Sequence, residues 1–129
     1  MSRLVLMVAL MVAAATAAEG QTDQRRPVRD VIVADVNGDL AGFLDRMKRI
    51  EGVNKRLGLG AELRVFQATF AGKQAGEIHV YWELPSFVGF AEAETKLHAD
   101  PEFRAILAEM AKAGQQFTSE LLTIEITPR

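Results

Sequence analysis

Between residues 77 and 84 large apolar side chains alternate strictly with polar ones. Ile78, Val80, Trp82 and Leu84 take one parity, and Glu77, His79, Tyr81 and Glu83 the other. A period of two predicts a strand from Glu77 to Leu84 with one face packed and one face open. Asp30 to Val36 is rich in β-branched residues and reads as a first, central strand. Asn37-Gly38-Asp39 breaks it, and Asn37 or Asp39 can cap a helix starting just beyond. From about Leu40 to Leu57 the period changes. Leu40, Phe43, Leu44, Met47, Ile50 and Leu57 form one stripe at helical spacing, and Gly58 is placed to stop it.

Glu62 to Phe70 is predicted as a second strand. A turn over residues 71–76 leads from it back into the Glu77 strand, making a hairpin. Pro85-Ser86 ends that strand, and Ser86 caps a helix from Phe87 to about Ala99. Asp100-Pro101-Glu102 starts another, striped by Phe103, Ile106, Leu107 and Met110 and stopped near Gly114. Thr118 to Thr127 is the last strand, with Leu122, Ile124 and Ile126 opposite Leu121, Thr123 and Glu125. The order is β-α-β-β-α-β with the second helix broken at Asp100-Pro101. That is an α+β, ferredoxin-like arrangement: a four-stranded antiparallel sheet with all helical segments on one face.

Composition changes this picture in three ways. First, the apolar content is uneven. Arg3 precedes an unbroken apolar run from Leu4 to Ala15, closed by Thr16-Ala17-Ala18. This reads as a signal peptide over residues 1–18, cleaved near Ala17 or Ala18. The run falls short of the roughly 20 residues that span a bilayer, so no stable membrane anchor is expected after cleavage. The other reading, a retained anchor, stays open. The expected address is periplasmic or secreted. Residues 19–27 are polar and read as a flexible leader, and 28–127 as the folded domain. Second, the 129 residues contain no cysteine, which excludes a disulfide framework and any thiolate chemistry. Third, a formal charge of −2 gives no basic excess, so a nucleic-acid partner is not expected.

The sheet face turned away from the helices has nothing in the chain to cover it. His79, Tyr81 and Glu83 point there. The second strand adds either Leu63, Val65, Gln67 and Thr69 or Arg64, Phe66, Ala68 and Phe70. Either set is too apolar to stay wet, and a second copy of the same face is the simplest cover, so a homodimer is expected.

Four passages resemble the dimeric α/β-barrel superfamily, which includes NIPSNAP-like and antibiotic-biosynthesis-monooxygenase-like domains. They are the stretch from Gly58 to Phe70, the strand Ile78-His79-Val80-Tyr81-Trp82-Glu83, the helix start Leu84-Pro85-Ser86-Phe87, and Leu97-His98-Ala99-Asp100-Pro101-Glu102-Phe103. The resemblance covers nearly all of residues 28–127. It implies two facing sheets enclosing a small-molecule cavity, with an oxygenase-like or isomerase-like activity that needs no cofactor, or no reaction at all. The asparagine, tryptophan and histidine set of haem-degrading relatives is not placed in this sequence: His79 is the one nominee for a haem ligand, and Trp82, with core parity, departs from the pattern.

The candidate catalytic residues are His79, Tyr81 and Glu83. They share a strand face at about 6.5–7 Å spacing, where an imidazole can take a proton and a phenol can donate to an oxyanion. The alternative is that they only form polar pairs in a dimer interface. A metal site is not expected from two histidines far apart in the chain. His98 reads as a helix-end or surface residue. Glu92 and Glu94, two apart on one helix, do not make a carboxylate pair. The expectation is an exported homodimer binding a small molecule, with a non-catalytic interaction protein as the alternative.

Overall fold

The strand with the clearest alternation anchors the sheet. In the computed structural model, which describes residues 25–70 and 72–128, it is β3 (Ile78–Leu84). Ile78, Val80, Trp82 and Leu84 are each no more than 5% exposed, whereas His79, Tyr81 and Glu83 are half-buried. The other strands are β1 (Val28–Asp35), β2 (Glu62–Gln67) and β4 (Gln116–Ile124). They pair antiparallel in the order β2-β3-β1-β4. The central places of β1 and β3 follow from their apolar content, since both have a partner on each side. A register shift against β4 falls at Val33/Ala34.

Three helices connect the strands: α1 (Leu40–Arg56), α2 (Phe87–Ala99) and α3 (Pro101–Lys112). Each begins at a side-chain cap. Asp39 accepts from Gly42 N, Ser86 from Gly89 N, and Asp100 from Phe103 N with Pro101 in the first turn. These caps satisfy amide donors that a helix start leaves unpaired. The chain order and antiparallel sheet are those of a ferredoxin-like α+β fold. The core lies between the sheet and the helices: Phe43, Met47, Ile50 and Val53 from α1, Phe90 and Leu97 from α2, Ile106 and Met110 from α3, and the inner residues of β1 and β3.

Ion pairs and a buried amide fasten α1 to α3 and to the chain's turns. Arg49 makes a two-pronged contact with Glu109, and Arg56 Nη2 lies 2.9 Å from Asp100 Oδ2 and 3.1 Å from Glu102 Oε2. Buried Gln115 donates to the carbonyls of Val36 and Asp39, and Arg46 reaches its Oε1. Gly114 takes φ +69°, and a Cβ there would meet Asn37 Nδ2 at 2.7 Å, so both conformation and space ask for glycine.

Some element ends differ from the sequence reading. β1 begins two residues earlier, at Val28. β2 stops at Gln67, and Phe70 lies in a bend, fully exposed, before a short 3-10 turn at Gly72–Gln74. β4 starts at Gln116 and ends at Ile124. The expected signal peptide and the leader as far as residue 24 lie outside the described residues. The leader's end is tied to the sheet: Arg26 Nη1 donates to the carbonyls of Glu125 and Thr127, and Glu125 N donates to Pro27 O. Among the described residues no helix is long and apolar enough to cross a membrane.

Candidate functional site

The open face of the sheet carries the three residues that the sequence singles out. β2 pairs with β3 so that Arg64 faces Tyr81 and Phe66 faces His79, while Leu63 and Val65 join the helix side. His79, Tyr81 and Glu83 therefore share one face, with Arg29, Val31 and Val33 of β1 and Leu121 of β4. Each of the three is engaged locally. His79 Nε2 is 3.2 Å from Glu77 Oε2. The Tyr81 ring lies 4.8 Å from Phe66, with the Arg29 guanidinium 5.7 Å from its centre. Glu83 Oε2 takes Arg29 Nη2 at 2.7 Å and Nε at 3.1 Å, which pushes the Arg29 pKa up. Phe66 and Leu121 stay 44% and 62% exposed. The result is an apolar centre bordered by charge pairs. Glu83 lines a cavity of about 300 Å³, with Arg29 and Thr123, at the end of the sheet; His79 and Tyr81 do not.

A larger cavity, about 340 Å³, lies on the other side of the sheet, between it and the helices, and none of the three residues lines it. That size falls in the range of small-molecule sites. Its walls are apolar: Ile32 and Val80 from the sheet, Met47 and Ile50 from α1, Phe103 and Leu107 from α3. Phe117, Thr118, Ser119 and Glu120 of β4 also line it and are exposed, so it opens along that edge of the sheet.

Set into these walls are polar groups from four elements. Asp30 of β1 points to the helix side, opposite Trp82, and is 1% exposed. Its Oδ1 has no hydrogen-bond partner, and neither has Trp82 Nε1. Glu94 of α2 and Glu120 of β4 line the same cavity, and His98 Nε2 lies 3.2 Å from Glu94 Oε2. Loss of water pushes the Asp30 pKa up to about 8, and the nearby Glu120 and Glu94 carboxyls push the same way. Burial also raises Glu94, against the pull of His98. At neutral pH Asp30 is therefore mainly a carboxylic acid, able to donate as well as accept. A buried acid with an idle oxygen beside an idle indole N–H is costly unless something uses it.

Sequence reasoning missed this site, although its signals are present. Asp30 shares parity with Val28, Ile32 and Ala34, Glu120 with Leu122 and Ile124, and Glu94 stands four residues from Phe90 and three from Leu97. Each is a charged residue on the helix-facing parity or stripe of its element, although only Asp30 is fully buried and Glu120 is exposed. The carboxyls near Glu94 come from the strands, Asp30 of β1 and Glu120 of β4. No group of three or more His, Cys, Asp or Glu among the described residues is arranged to hold a metal ion. No protein-family model, no curated protein and no solved structure matches the chain.

Proposed function

We propose that this protein binds a small, largely apolar molecule in the cavity between its sheet and its helices. The observation that carries the reading is the 340 Å³ apolar cavity whose walls include two buried residues with idle polar atoms, Asp30 and Trp82. Ligand sites combine apolar walls with a few polar groups that fix orientation. Asp30 is also the group best suited to proton transfer, since an acid poised near neutrality can give up and take back a proton. An isomerase-like or oxygenase-like step without a cofactor has its acid–base residue there rather than at His79.

In this reading the protein is an exported homodimer of the α/β-barrel kind, joined through the open sheet face. Support comes from the apolar patch of Val31, Phe66, Tyr81 and Leu121 and its border of Arg29–Glu83 and Arg64–Glu62 pairs. His79, Tyr81 and Glu83 then belong to the interface. Export rests on the pattern of residues 1–18.

The test is a thermal-shift screen of small aromatic and aliphatic compounds on the wild type and on Leu107→Phe, which fills the cavity from α3. Compounds that stabilise the wild type and leave the folded variant unmoved support the site. Equal responses in both proteins, or none in either, overturn it.

A further inference from the structure

The titratable groups around the larger cavity are unusually one-sided. They are Asp30 from β1, Glu120 from β4, and Glu94 with His98 from α2. The two other helices contribute Met47, Ile50, Phe103 and Leu107, none of which titrates, and among the described residues no Lys or Arg lines the cavity. His98 is already set against Glu94. Asp30 and Glu120 are left near one another with no cation from the described residues, and Asp30 Oδ1 is buried and idle. Three arginines of the same strands and helices are committed elsewhere: Arg49 to Glu109, Arg56 to Asp100 and Glu102, Arg29 to Glu83 on the opposite face.

Resting on the reading that this cavity is a ligand site, we propose that its ligand is an organic amine. The cationic nitrogen sits between the carboxyl groups of Asp30 and Glu120, and the apolar body lies against Trp82, Phe103 and Leu107. Three features select this class. An ammonium supplies both the charge and the donor that the idle carboxyl oxygen lacks. The aromatic faces of Trp82, Phe103 and Phe117 attract a cation and suit its hydrocarbon body. A carboxylate or phosphate ligand would meet three carboxyls and, among the described residues, no Lys or Arg, so anions are rejected.

Binding moves one proton. In the free protein burial, reinforced by the neighbouring Glu120 carboxyl, keeps the proton on Asp30. The ammonium replaces that proton: the Asp30 O–H bond breaks, the proton leaves to solvent, and the carboxylate pairs with the incoming nitrogen. Amine affinity therefore rises with pH by up to tenfold per unit between about pH 6 and pH 8, then levels off while the amine stays charged.

The experiment is isothermal titration calorimetry of the full chain with benzylamine, 2-phenylethylamine and hexylamine, each beside the alcohol and the carboxylic acid of the same skeleton. Titrations run in buffers of different ionisation enthalpy and at several pH values. We expect at least one amine to bind tenfold or more tighter than its alcohol, to release close to one proton at neutral pH, and to bind more tightly as pH rises. The acids do not bind. Asp30→Asn, which keeps the side-chain shape, loses the amine preference and the proton release. Alcohols binding as well as amines, with no proton released, would overturn the amine and leave the cavity as a ligand site. Acids binding best would do the same. No binding by any compound overturns both.

Discussion

Asp30 stands where the alternation of β1 asks for an apolar side chain, and its cost should be measurable. Its pKa is raised from the ordinary carboxylate range to about 8. In the unfolded chain the group ionises near pH 4, whereas the folded protein holds the proton up to about pH 8. The folded state binds more protons across that window, so stability is greatest below it and falls as pH rises through it. Asp100 and Glu109 act with the opposite sign. The Phe103 N–H and Arg56 lower Asp100, and Arg49 lowers Glu109, so both add stability above the carboxylate range that is lost on acidification. The optimum should therefore lie on the acid side of neutral, near pH 5. Asp30→Asn should raise the melting temperature at pH 8 more than at pH 4, by roughly 4–8 °C for each kcal/mol recovered. Thermal melts across pH check this. A variant less stable than wild type at pH 8 would mean that the carboxyl is not strained. If the melts agree, Asp30 is kept at the expense of stability, which is the usual mark of a functional group.

Among the strands and helices, most of the architecture was legible in the sequence. The strict alternation of β3, the stripe of α1, and the caps at Asp39, Ser86 and Asp100 are local features, and local physics decided them. Replacing Ser86 by alanine should cost about 1 kcal/mol through the lost cap on α2. Truncating Ile106, which is fully buried in α3, should cost about 2–5 kcal/mol through the cavity left behind. Denaturant melts of the two variants would separate these values, and equal small losses would put Ile106 outside the core. What stayed illegible depended on pairing. The face taken by Phe66 required the β2–β3 register, which the sequence left open between two sets. The site needed three registers at once. Asp30, Glu94 and Glu120 lie on β1, α2 and β4, and only the folded sheet and its packed helix bring them together. Reading charges along one element, as with Glu92 and Glu94, could not find a cluster built across elements.

Across the assembled fold, the two faces of the sheet divide the work. The helix side encloses the cavity, and the open side carries an apolar patch with Leu121 62% exposed and Phe66 44% exposed. If a second copy covers that patch, light scattering will give twice the chain mass. Leu121→Asp will then shift the protein to monomer, because a charge cannot be buried opposite its own image without cost. A wild-type monomer at working concentration would contradict the shared face, and it would leave the cavity reading intact, since the cavity is built within one chain.

Occupation of the space between sheet and helices by a small molecule can be watched directly, because the chain contains its own reporter. Trp82 is the sole tryptophan, is 5% exposed, and lines that cavity with an unpartnered indole nitrogen. Its emission should shift and saturate as 2-phenylethylamine is added to the wild type, and stay unchanged with the folded, cavity-filled Leu107→Phe variant. Binding detected by calorimetry without any change in Trp82 emission would place the ligand elsewhere and contradict a site between sheet and helices.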